Sequence, residues 1–447
     1  MKRVLLTLAL AAVFTAGWSQ TAAEREQLRE EIGKDLAENL LPFWADHALD
    51  PAGGFYGTVA RNGQGNPRAA KGGVLNSRIL WTFSTAYRVY GLDSYRRIAD
   101  GAQRYFLDHF IDSQYGGVYW SLNADGSVAD ATKQAYNQSF GIYGLSEHFR
   151  ATGNRESLEA AIALFRTVEA NFHDKERGGY RETLSRDWKA SDQKGVDGKA
   201  GATKTMNSHI HMMESYTNLY RVWPDAGLRS CIEELLGILQ NQLYNSNTSH
   251  LILFCDDDWN TIGDVDSYGH DIETSWLMYE TACVLGDQAL IEKVGRQAVA
   301  MTDAALKEGL LPAGYLMYER DGSRYRREAS WWPQCEAVVG CLNAWQITGD
   351  RKYFDAASGI WGYIRDHFID KEYGEWFRTV SEEGEPLLTE AKGSLWNCPY
   401  HNSRMGFEAI ERLKPVKVHT EVMAWSNITG VRLEGELIDF ESKLKTG

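Results

Sequence analysis

The chain has 447 residues, with 47 Lys and Arg against 61 Asp and Glu and a formal net charge of −14. An acidic surface repels phosphate backbones, which excludes nucleic-acid binding as the main task. A hydrophobic content of 43% with only 9 prolines excludes a disordered chain.

The N-terminus reads Met1-Lys2-Arg3 and then an apolar run from Val4 to Trp18. A basic start and an apolar stretch too short to span a bilayer predict a signal peptide over residues 1–20. The expected location is therefore exported and periplasmic, without stable membrane insertion. All six cysteines lie in the second half of the chain and none forms a CxxC pair, so free buried thiols are expected.

A turn followed by aromatic or apolar residues recurs about every 64 residues from Gly53 to Gly374. Its clear versions are Asp50-Pro-Ala-Gly53-Gly-Phe-Tyr, Asp112-Ser-Gln-Tyr-Gly116-Gly-Val-Tyr-Trp and Asp174-Lys-Glu-Arg-Gly178-Gly-Tyr. Weaker versions begin at Asn247, Pro312 and Asp370. Between the turns run segments of helical period, such as Leu75 to Tyr90, Tyr95 to Phe110 and Glu156 to Asn171. Six helical hairpins predict an all-α fold, an (α/α)6 barrel over residues 21–413 with inner and outer helix layers. Residues 414–447 form an extension with strand-like alternation and no assigned role.

Each turn precedes a polar residue near the start of an apolar helix: Arg78, Gln138, His211, His270, Glu336 and His401. In a closed ring these starts share one end, so the six side chains are expected to converge on a common bowl. His270 and Glu273 are three apart, as are His211 and Glu214, and a carboxylate beside an imidazole fixes its tautomer. Trp332 and Glu336 share a helical face, and aromatics flank His401. Paired tryptophans beside a carboxylate suit sugar stacking. Neither HExxH nor a Cys/His zinc spacing occurs, so no metal is expected. Serine-hydrolase, Walker and GxGxxG signatures are absent too.

The segments Asn76-Ser-Arg78-Ile-Leu-Trp81-Thr-Phe83, Met206-Asn207-Ser-His-Ile-His211, Gly269-His270-Asp-Ile-Glu273, Trp331-Trp332-Pro-Gln-Cys-Glu336 and Pro399-Tyr400-His401-Asn402 resemble the cellobiose 2-epimerases of the N-acylglucosamine 2-epimerase superfamily. The likeness runs from Glu24 to Leu413. It implies a metal-free, cofactor-free isomerase that inverts C2 of the reducing-end sugar in β-1,4-linked disaccharides, a small-molecule substrate; a monomer is the expected state, though sequence does not decide it. It also implies that His270 and His401 are the acid/base pair. Arg78, Tyr136, Asn207, His211, Glu273, Trp332, Glu336 and Trp396 would line the site.

The C2 proton is acidic only beside an open-chain aldehyde, so the chemistry needs ring opening, an enediolate and a base working near neutral pH. Arg78 would stabilise the enediolate, and Tyr136 and His211 would assist ring opening or bind hydroxyls. One base acting after rotation about C2–C3 is a second route. The rival activities are a monosaccharide 2-epimerase or aldose–ketose isomerase, a glycoside hydrolase using Glu273 and Glu336, and a non-catalytic sugar-binding protein.

Overall fold

The computed structural model describes residues 22–191, 195 and 198–414, together with the backbone of 418–422 and 433–437. The expected leader, residues 1–20, lies outside the described residues. Helix α1 starts with residues 22–35 and continues through a π-helical turn, Leu36–Leu40, into Leu41–His47. Then come α2 (Gly73–Tyr90), α3 (Asp93–Tyr105, extended by Phe106–Phe110) and α4 (Ala135–Thr152). Next are α5 (Arg155–Asn171), α6 (Met206–Tyr220), α7 (Ala226–Asn241) and α8 (Tyr268–Leu285). The last are α9 (Gln288–Gly309), α10 (Trp331–Thr348), α11 (Arg351–Tyr363, extended by Ile364–Phe368) and α12 (Tyr400–Arg412).

The even-numbered helices pack in sequence, α2 on α4 through α10 on α12, and α12 returns to α2, which closes a ring. The odd-numbered helices lie outside it. Sequence decides the layer: α2 is buried continuously from Gly73 to Ala86, whereas α3 buries the stripe Tyr95, Ala99, Ala102 and Tyr105. A helix apolar or small on all sides needs cover on all sides, and an amphipathic one needs it on one face. Four inner helices end at a left-handed glycine, Gly91, Gly153, Gly286 and Gly349, which stops the helix without a Cβ penalty.

The recurrent turns join each outer helix to the next inner one. In the second, Asp112 Oδ1 accepts from the backbone N–H groups of Gln114 and Tyr115, and Lys133 donates to Oδ2 at 3.1 Å. The same buried Lys–Asp clasp recurs as Lys71–Asp50, Lys204–Asp174 and Lys392–Asp370. Gly117 has φ of 76°, and a Cβ there would lie 2.5 Å from the Trp188 ring of the next loop. The glycine pair therefore answers both a backbone and a packing demand. Beyond the barrel, Val418–Val422 pairs antiparallel with Leu433–Leu437. No described helix is long and apolar enough to cross a membrane, and all six cysteines are free. Four of them are buried, as expected, but Cys283 is exposed and Cys231 is half-buried.

Candidate active site

The six inner helices start at one rim, and their registers separate two kinds of position. Tyr136, Asn207, Trp332 and His401 are second residues of their helices; Arg78, His211, Glu273 and Glu336 are sixth residues. Positions four apart share one face, and here that face looks into the barrel. All of these except Glu336, with His270, Tyr318, Trp331 and Trp396, line one cavity of about 250 Å³.

Gln138, expected in the bowl, is not there. It is a fourth residue, about half a turn from the second and sixth, and it clamps the turn instead: the Val118 N–H donates to Oε1 at 2.7 Å and Nε2 donates to the Val118 carbonyl at 2.9 Å. Gln334 does the same for Leu316, Asp271 accepts from Leu251, and His209 accepts from Tyr180. These fourth residues hold the fold together, and they are the neighbours of the residues that line the pocket.

Arg404, which sequence reasoning passed over, is the hub beneath the floor. It is 1% exposed. Its Nη2 donates to Glu273 at 2.5 Å and to Glu336 at 2.7 Å, and its Nη1 donates to Glu214. The only sequence signal was its place three residues after His401, on the same helical face. Burial opposes the charged form of Glu214, yet Arg404 and His211 hold its pKa down to about 2. Burial beside Glu336 pushes Glu273 up to about 7. Burial likewise raises Glu336, against the pull of Arg404. Ligand-type atoms of Glu273, Glu336 and His401 lie within 4.8 Å of one another, but the cation they surround is this guanidinium.

The two histidines flank Trp332, with ring centroids 4.6 Å away for His270 and 5.6 Å for His401. A Cβ on Gly269 would come 2.7 Å from the Trp332 ring, so the glycine is what admits the indole beside His270. His401 Nδ1 donates to Glu336 at 2.7 Å, which leaves Nε2 bare. The expected carboxylate partner of His270 is a correction: Glu273 turns to Arg404, and His270 Nδ1 meets the Ser267 hydroxyl at 2.7 Å. The His211–Glu214 pair does form, at 2.9 Å. Burial and the nearby His211 lower His270 to about 3; burial with Arg78 and Arg404 lowers His401 well below the usual imidazole range. Both rings are neutral near pH 7.

Arg78 is 2% exposed and has no carboxylate partner among the described residues. Nη2 donates to the Tyr136 hydroxyl at 2.6 Å, and Nε has no hydrogen-bond partner. The guanidinium carbon lies 4.1 Å from the Phe140 ring centroid and 4.5 Å from that of Tyr400. Trp396, 39% exposed, stands at the cavity mouth.

Fold and site together are those of an (α/α)6 barrel enzyme with an aromatic, histidine-bearing pocket. The sequence matches the N-acylglucosamine 2-epimerase (GlcNAc 2-epimerase) family over residues 54–402. It is 43% identical over 389 residues to a cellobiose 2-epimerase of Bacteroides fragilis, covering 86% of this chain and 99% of that protein. The solved cellobiose 2-epimerase of Bacillus thermoamylovorans superposes with a TM-score of 0.83 at 36% identity, covering 87% of this chain and all of that one. An α-1,6-mannanase from Salegentibacter shares the fold alone, with a TM-score of 0.59 at 15% identity. The chain belongs to the N-acylglucosamine 2-epimerase family and is an isomerase.

Proposed function

We propose that this enzyme inverts C2 of the reducing-end sugar of β-1,4-linked disaccharides by proton transfer at His270 and His401. The observation that carries the reading is the pair of neutral imidazoles bordering Trp332, His401 buried and His270 half-buried, with an uncompensated guanidinium in the same cavity. Relatives at 38–43% identity, spanning 98–99% of their own lengths, are cellobiose 2-epimerases, which supports a disaccharide substrate.

After ring opening, one imidazole takes the C2 proton while the C–H electron pair forms the C1–C2 double bond and the C1 carbonyl oxygen becomes an oxyanion. Solvent protonates the other imidazole once the enediolate charge stands beside it. The C1–C2 electron pair then takes that proton on the opposite face as the C1 carbonyl re-forms, and the first imidazolium returns its proton to solvent. Arg78 stabilises the oxyanion as a fixed, buried cation among aromatic rings. Tyr136, bonded to Arg78, and His211, bonded to Glu214, bind hydroxyls at the ring-opening end. Glu273 Oε2 has no hydrogen-bond partner and accepts a sugar hydroxyl, with Asn207 on the same wall. Trp332 covers the reacting ring, and the exposed Trp396 offers a face to the second sugar. The hydrolase reading is disfavoured because Glu273 and Glu336 share one nitrogen of Arg404, leaving no gap between them for a glycosidic bond.

Chromatography of products from cellobiose, mannobiose, mannose and N-acetylglucosamine tests the reading. An epimeric disaccharide with its linkage intact is expected; release of monosaccharide, or turnover of monosaccharides alone, would overturn it. The basic and apolar start of the chain supports export as part of the same proposal.

A further inference from the structure

Ser267 occupies the N-cap position of α8, where a serine hydroxyl ordinarily accepts a backbone N–H from the first turn of its helix. It makes no such bond. In the preceding repeat the equivalent residue, Thr205, does cap α6 by accepting from the Ser208 N–H at 3.2 Å. The Ser267 hydroxyl is turned instead onto His270 Nδ1, at 2.7 Å, and the serine is 3% exposed. Ser330, the equivalent residue of α10, also makes no capping bond, so what sets Ser267 apart is the imidazole its hydroxyl holds in place of the cap. Such departures from local rules cluster where function demands them.

The two imidazoles also have different partners. Glu336 only accepts, so it holds the His401 ring with hydrogen on Nδ1. A hydroxyl both donates and accepts, so it can hold Nδ1 of His270 whether or not that nitrogen carries hydrogen. We propose that Ser267 is a positioning residue for His270, keeping Nε2 directed into the cavity as the ring gains and loses its proton. This rests on the epimerase reading given above. Ser267 itself touches no reacting atom. It acts through the orientation of the ring, whose other face is bounded by Trp332.

The test compares wild type, Ser267→Ala and Ser267→Thr on cellobiose, following kcat, KM and thermal unfolding. Losing one orienting hydrogen bond corresponds to a fall of on the order of tenfold in kcat. KM should change little, the melting temperature should hold because no cap is lost, and threonine should restore most of the rate. An alanine variant with wild-type kcat overturns the proposal, as does one whose loss of rate follows a loss of folded protein. Failure of wild type to epimerise cellobiose would strike the epimerase reading instead, so the two failures are distinguishable.

Discussion

Arg78 and Arg404 are both fully buried, and the Tyr400 ring lies between them, 4.5 Å from one guanidinium carbon and 4.3 Å from the other. Their surroundings are opposite. Arg404 is met by Glu214, Glu273 and Glu336. Arg78 is met by a phenol, a thiol 4.0 Å away and aromatic faces. Cation–π contacts return about 2 kcal/mol each when desolvated, against several kcal/mol for burying an ion. Arg404 has its counter-charges inside the protein, while Arg78 still lacks an anion. One arginine builds the floor under the histidines; the other waits for the charge that the reaction creates.

The comparison breaks first at Arg404. Arg404→Met would leave three buried carboxylates without their cation, and removing one partner of a buried pair already costs about 3–5 kcal/mol. Urea unfolding should show a loss of at least that size; a loss under about 1 kcal/mol would mean that the carboxylates are neutralised another way.

Arg78→Met sharpens the contrast. Replacing a buried, unpaired charge with an apolar side chain of similar length should leave stability unchanged or raise it. Catalytic efficiency should nevertheless fall about 10²–10³-fold, the scale of losing one oxyanion donor. Comparable efficiency in the folded variant would show that Arg78 does not meet the developing charge.

Much of this was legible in the sequence, and the misses have physical causes. The Asp and Gly-Gly turns marked three of the six repeats plainly because the aspartate accepts turn N–H groups and the glycines take positive φ. Those constraints are local, so they leave a local signature. Which face of each inner helix looks inward is a tertiary property, fixed by ring closure. Taking the polar residue nearest each helix start therefore mixed pocket positions such as Arg78 and His211 with the clamp Gln138. Arg404 stayed hidden because its three carboxylates come from α6, α8 and α10, at separations of 190, 131 and 68 residues. The serine beside His270 was hidden for the opposite reason: it reads as an ordinary helix cap.

The smallest expected effect concerns a third charge cluster, one closed like that of Arg404. His250 donates to the buried Asp271 at 2.7 Å, and Glu308 lies 3.3 Å from its other nitrogen. Burial lowers the basicity of this ring, but Asp271, with Asp266 and Glu308, raises its pKa to about 9. A folded-state value above the unfolded one, about 6.5, gives a stabilisation complete below that lower value and lost as pH rises through 9. The gap in melting temperature between wild type and His250→Gln should therefore be widest near pH 6 and shrink by about pH 10. A gap that widens with pH would reverse the assignment.

The central claim is that the two imidazoles bordering Trp332 exchange the C2 hydrogen with solvent. It is tested most directly by running the reaction in deuterium oxide and locating the label in the epimeric product by NMR. The account predicts deuterium at C2 of the reducing-end sugar, with His270→Asn and His401→Asn each losing most turnover because an amide cannot serve as a base near neutral pH. Product that keeps the substrate's own hydrogen at C2, formed by either variant at close to the wild-type rate, would contradict it.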